Sequence, residues 1–333
     1  MLLCRLAEHA FWLGRYLERA EDLSRAIRAY EDIRLDMPGQ LAPGWQRLAA
    51  LAGVAPAATE PLEASAFVDR VILDRENPSS LLGALHAARE NLRRARSLLP
   101  SDCWHTLNSV YLRIAALDAG VPPAELRAIL QQVLASSREL AGYVSAGMLH
   151  DEGYAFLRIG THLERADMTL RIATIVAETL MPAEEGQAFE DVRWMGLLKS
   201  VGAYGTYRHR YHARTDFESA LDLLLFEGTF PRSLAFGLRE IDRDLQSLPQ
   251  NAAVRAALEA CRPTEQIRTR AALDAFVRHA LPLLATFSAT LHRTYFGDLA
   301  STLAGEGLVD VRSGVGRSGE GTSDRGALPG TSR

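Results

Sequence analysis

The tetrapeptide Leu-Glu-Arg-Ala occurs twice in this chain, at residues 17–20 and 163–166, each time inside a longer matched frame. Gly14-x-x-Leu17-Glu18-Arg19-Ala20-Glu21 is answered by Gly160-x-x-Leu163-Glu164-Arg165-Ala166-Asp167, and Arg25 by Arg171. Around the first copy, apolar or small residues fall at Leu3, Leu6, Ala10, Leu13, Leu17, Ala20, Ser24 and Ile27. These steps alternate between three and four, which is the seam of a bundle helix. Phe156, Ile159, Leu163, Ala166, Leu170 and Ala173 repeat the seam around the second copy. Two helices sharing one face, near 2–35 and 152–180, predict two pseudo-repeated helical halves packed about a two-fold axis. A helical glycine costs about 1 kcal/mol against alanine, so its recurrence at Gly14 and Gly160 predicts a close approach by a neighbour.

The rest of the chain reads as helix as well. Met37-Pro38-Gly39 stops the first helix, and 38–65 form a connecting excursion with a short helical patch near Trp45–Leu51. Asn77-Pro78-Ser79-Ser80 opens a helix to about Leu99, with proline in the first turn. Further helices are expected through about Leu117, over Ala124–Ser145, from Asp151 toward Leu180, and over Ala188–His212. Phe217–Leu225, Pro231–Leu248, Ala252–Ala260 and Thr264–Leu303 complete the set, with a kink at Pro282. No segment shows the sustained alternation of a strand. The fold class is therefore all-α, a helical bundle over residues 1–304. The Gly/Ser/Arg-rich residues 305–333 are expected to be a disordered tail, too poor in apolar surface to fold.

Composition narrows the function classes. With 37 basic and 41 acidic residues among 333, the formal charge of -4 gives no pull toward nucleic acid or anionic membrane. The Arg89–Arg96 cluster lacks the aromatic interleaving of an RNA-binding surface and reads as a wet helix face. Charges at Arg5 and Glu8 interrupt any leader, and no run reaches the roughly 20 apolar residues of a membrane span. Cys4, Cys103 and Cys261 form neither a disulfide framework nor a metal motif. The expected compartment is the cytoplasm.

Chemistry-bearing motifs are sparse. A di-metal bundle wants Glu-x-x-His pairs, and none occurs, Asp102-x-x-His105 being the nearest approach. No nucleophile elbow or phosphate loop is present. The string Gly314-x-Gly316-x-x-Gly319 lies in the tail with no helix after it. No metal and no cofactor are expected. Glu18, Arg19, Glu164 and Arg165 flank the apolar seam and need partners if buried, because an unpaired buried charge costs several kcal/mol. They either form cross-helix ion pairs that set the register of the halves, line a shared ligand pocket with arginine as anion fork, or lie exposed without consequence. Glu21–Arg25 and Asp167–Arg171 are favourable i,i+4 pairs. Tyr204, Tyr207, Arg208 and Tyr211 share one helical face and read as core with polar tips, or else as a ligand platform. Phe230-Pro231-Arg232-Ser233 reads as a helix opening with proline in the first turn and a solvated Arg232, or else as an anion site.

The opening, Arg5-x-Ala7-Glu8 followed by Trp12-Leu13-Gly14-Arg15-Tyr16-Leu17-Glu18-Arg19-Ala20-Glu21, resembles the alpha-E family, a bacterial helical domain named for a Glu-Arg motif. The likeness continues through residues 74–80, 88–91, the second Glu-Arg helix, 204–211 and 230–233, covering about 1–300. It implies an all-α protein whose Glu-Arg signature falls on Glu18-Arg19 and Glu164-Arg165. It also implies partnership with circularly permuted ATP-grasp ligases and transglutaminase-like peptidases, and so a setting of peptide or amide-bond synthesis. The expectation is a helical partner or scaffold for such a ligase, without autonomous activity. The rivals are an enzyme acting on peptide-like substrates through the Glu/Arg group, or a purely structural homo-oligomer. One departure concerns the halves themselves: Thr161-His162 stands where the first copy has Arg15-Tyr16.

Overall fold

The segment Cys4–Asp36 contains no proline and its seam never slips, so it forms one 33-residue helix, α1. In the computed structural model, residues 4–36, 48–54, 63–179, 187–212, 214–263, 267 and 269–297 are described, all inside one unit, Met1–Gly297. The second Glu-Arg segment is α5, Glu152–Thr179. Asp151 starts it, its carboxylate accepting from Gly153 N at 2.9 Å in place of the missing helical carbonyl. Between them lie α2 (Leu81–Arg94), α3 (Ser101–Ala115) and α4 (Pro123–Gly147). After α5 come α6 (Gln187–Ser200), α7 (Tyr204–Tyr211), α8 (Phe217–Leu221), α9 (Leu234–Gln246), α10 (Ala252–Glu259) and α11 (Arg270–Tyr295). There is no strand among the described residues.

The protein is all-α, with α1 at its centre. α1 packs on α5, α2, α6 and α4, while α5 packs in turn on α9 and α11. The shared seam is what closes: Ala10, Leu13, Ala20 and Ile27 of α1 and Ile159, Leu163, Ala166, Leu170 and Ala173 of α5 are all buried. Burial of such apolar area, at about 25 cal/mol per Å², drives the pairing. The two glycines set its closeness. A Cβ on Gly14 would collide with the Leu157 carbonyl oxygen, and a Cβ on Gly160 with that of Phe11. Each glycine thus meets the carbonyl three residues before the other.

Several boundaries differ from the sequence reading. The helix expected to reach Leu99 ends at Arg94, where Leu98 N turns back to Ala95 O at 2.9 Å. The expected Ala188–His212 helix is two helices, because Gly202 takes a left-handed φ of 70°. A side chain there would be strained by that φ and would also press on the Arg25 guanidinium. Residues 64–73, outside the expected helices, are helical and end in a π-turn, Val68–Leu73. A second π-turn, Asp222–Phe226, continues α8. Both proline-led openings begin later than expected: Ser80 and Ser233 are the N-caps, with Pro78 and Pro231 in the loops before them. The last helix spans Arg270–Tyr295, capped by Thr269, with Pro282 inside it. Residues 48–52 of the patch expected near Trp45–Leu51 are helical. The stops at Met37–Gly39 and Met181-Pro182, the Thr264 start and the tail fall outside the described residues.

Candidate functional site

The α1–α5 contact brings the four motif charges together in reciprocal pairs. Arg165 Nε and Nη2 donate to the two oxygens of Glu18, both at 2.7 Å, a bidentate fork. Arg19 Nε donates to Glu164 Oε1 at 2.5 Å. Each of these arginines also reaches a proline carbonyl 3.3 Å away, Arg165 that of Pro231 and Arg19 that of Pro78. The two loops so gripped are alike. Ser80 Oγ and Ser233 Oγ each accept from a helix N–H at 3.0 Å, from Gly83 and Phe236, and each donates back to a carbonyl six residues earlier.

Each glutamate takes a second arginine, and here the two pairs differ. Glu164 receives Arg15, whose Nε lies 2.6 Å from Oε2. The corresponding residue on α5 is Thr161, whose hydroxyl folds back onto Leu157 O at 3.0 Å and cannot reach across. The second arginine on Glu18 comes instead from the loop: Arg232 Nη1 donates to Glu18 Oε1 at 3.0 Å and to Asp22 Oδ1 at 2.6 Å. Arg232 Nη2 donates to Glu21 Oε1 at 2.5 Å. The sequence reading of a solvated Arg232 is therefore corrected, its side chain being only 13% exposed and shared among three carboxylates. In the loop gripped by Arg19 the same position is Ser79, which accepts from Arg19 at 3.5 Å.

Glu18 is 3% and Glu164 0% exposed. Burial alone pushes both carboxyls up, but the guanidiniums outweigh it. Arg165 and Arg232 bring Glu18 down to about 2, and Arg15 and Arg19 bring Glu164 down to about 2. Both are fixed anions. Asp22, 2% exposed, goes the other way. Burial and the adjacent Glu18 charge push it up to about 7 in spite of Arg232. His162 is held neutral, lowered to about 3 by burial and by Arg165 and Arg158. The pair Asp167–Arg171 forms at 2.6 Å, and Arg25 also donates to Glu21.

Of the residues singled out from sequence, Glu18, Arg19, Glu164, Arg165 and Arg232 meet in this group. Arg208 is elsewhere, exposed on α7 and donating to Tyr204 Oη at 3.4 Å. On that helix Tyr207 is buried and donates to Arg214 O at 2.9 Å, and Tyr211 donates to Asp222 Oδ2 at 2.6 Å. Sequence reasoning missed Arg15 and Asp22, each inside the matched frame but off its shared strip. Arg89 is not on a wet face, since its guanidinium lies between the Trp104 and Tyr111 rings, 5.1 Å from each. Among the described residues no group of three His, Cys, Asp or Glu is arranged to hold a metal ion, and no helix is long and apolar enough to cross a membrane.

A family described as a predicted alpha-helical domain with a conserved ER motif, Alpha-E, matches residues 2–296. The chain belongs to the Alpha-E family. Its two Glu-Arg dipeptides, Glu18-Arg19 and Glu164-Arg165, are the residues whose side chains cross between α1 and α5. An uncharacterised protein of Mycobacterium bovis is 27% identical over 270 residues, covering 74% of this chain and 30% of its own length. An uncharacterised protein of Mycobacterium tuberculosis is 26% identical over 270 residues with the same coverage. The Alpha-E chain thus spans about 30% of the length of the curated relatives it matches. No solved structure matches it.

Proposed function

We propose that this Alpha-E protein is a helical partner of an ATP-grasp-type peptide or amide ligase, holding the enzyme or its peptide substrate without catalysing the reaction itself. The carrying observation is that the matched region makes up only 30% of its mycobacterial relatives, so there the domain acts joined to a much longer polypeptide. The family resemblance supplies the kind of neighbour, a circularly permuted ATP-grasp ligase together with a transglutaminase-like protein.

The Glu-Arg group supports the non-catalytic half of the reading. A general acid or base needs a proton it can exchange near the working pH and a path to substrate. Glu18 and Glu164 are sealed and held at about 2, with their oxygens committed to arginines, and Asp22, raised to about 7, is 2% exposed and bound by Arg232. Such a group sets the register of two helices and grips two loops.

Co-expression with a neighbouring ATP-grasp ligase tests the proposal. A joint peak on size exclusion and a ligase turnover raised by the partner are expected. Separate elution with unchanged turnover overturns it. Glu18→Gln is expected to lower the melting temperature while leaving turnover per folded complex intact, and selective loss of turnover would favour the enzyme reading instead.

A further inference from the structure

The loop gripped by Arg165 also walls an open cleft of about 500 Å³ against α7. That volume lies in the range of small-ligand sites. Thr206 and Arg210 face it from α7, and Glu227, Thr229, Phe230 and Pro231 from the loop. Inside it is an ion pair of unequal members, Arg210 Nη1 to Glu227 Oε2 at 2.7 Å.

Glu227 is the fixed member. Its Oε1 accepts from Thr229 N at 2.8 Å and from Thr229 Oγ1 at 2.6 Å, and its side chain is 11% exposed. Those hydrogen bonds favour the anion and hold the carboxyl below its ordinary range. Arg210 is the more exposed member, 49% exposed, with its guanidinium also lying over the Tyr211 ring at 5.7 Å. An ion pair with one arm in solvent gains little, so exchanging it for a ligand's charges costs little. A cleft with a rigid carboxylate beside a half-exposed guanidinium, bordered by the exposed Pro231, matches a molecule with an ammonium and a carboxylate close together.

We infer that this cleft binds a free dipeptide. Its α-ammonium takes Glu227 Oε2 in place of Arg210, and its carboxylate takes the displaced Arg210. Thr206 and Thr229 border the cleft, and the exposed Pro231 is the apolar surface beside it. The site rests on the chemistry of the cleft and not on the ligase partnership, so either can fail alone.

Calorimetric titration of the full chain with L-alanyl-L-leucine, its N-acetyl form and its C-terminal amide tests this. The free dipeptide is expected to bind, and each blocked form to bind at least about tenfold more weakly, as loss of one charge-assisted hydrogen bond implies. Glu227→Gln and Arg210→Gln should each cost a similar factor. Arg210 is exposed, so its variant remains informative if Glu227→Gln fails to fold. The inference is overturned by no binding at about 10 mM dipeptide, by equal binding of the blocked forms, or by unchanged binding in both variants. Ligase co-elution that persists while dipeptide binding is absent removes this site and leaves the partnership standing.

Discussion

At the scale of single residues, ionisation decides what the α1–α5 contact can tolerate. Glu18 and Glu164 have folded values of about 2 against an ordinary 4.5. Their contribution to stability is therefore present above about 4.5 and is lost as pH falls through about 2. Asp22 runs the opposite way. Raised from 3.8 to about 7, it favours the folded state most below 3.8, and that contribution fades as pH rises through about 7. Melting temperature followed against pH should fall on both sides of a mildly acidic maximum. Asp22→Asn should flatten the neutral limb and leave the acid limb, and an unchanged neutral limb would refute the assignment. Removing one partner of a buried pair leaves the other unpaired, so Glu164→Gln should cost about 3–5 kcal/mol in urea unfolding. The motif pairs were legible because the repeat printed them twice. Arg232 surfaced only as a solvated arginine or anion ligand at a helix opening, because its contact with Glu18 spans 214 residues and leaves no local pattern. Asp22 carried no signal, since its counterpart at the matched position is Met168.

At the scale of helices, two glycines fix how close α1 and α5 come. Gly14→Ala and Gly160→Ala each drive a methyl into a facing backbone carbonyl that has no rotamer to yield. Each is expected to cost about 1–3 kcal/mol or more in denaturant unfolding. Gly142, exposed on α4 with nothing within 4 Å of its added Cβ, is the matched control. Gly142→Ala should stabilise by about 0.5–1 kcal/mol. If all three shifted stability alike, helix propensity and not close approach would explain the pair. The long helices were readable because thirty residues of unbroken seam admit little else. The breaks were harder. Gly202 sits in an apolar helical pattern, and its freedom to take a left-handed φ leaves no mark on that period. The π-turns at 68–73 and 222–226 keep an almost helical spacing of apolar residues, so periodicity passes over them. At 231–233 two start signals competed, and Ser233 prevailed because its hydroxyl satisfies Phe236 N.

At the scale of the molecule, Met1–Gly297 holds its own core, which predicts that it folds without residues 298–333. A chain ending at Gly297 is expected to unfold in one transition, with coincident circular dichroism and fluorescence curves. Separated curves would show that the unit needs more than itself. The all-α class was legible from composition and period, whereas the placement of Arg210 opposite Glu227 came only from the packed loop. The reciprocal ion pairs also bear on how the chain reaches this state. Arg165 stands 147 residues after Glu18, and Arg232 stands 214 after it. Most helical bundles are dominated by local contacts and fold quickly for that reason. Here α1 carries a sealed carboxylate whose partners are translated 147 and 214 residues after it. Its apolar seam and Glu18 must wait in water or in borrowed contacts until α5 and the Arg232 loop emerge, so this contact closes only after that loop is made.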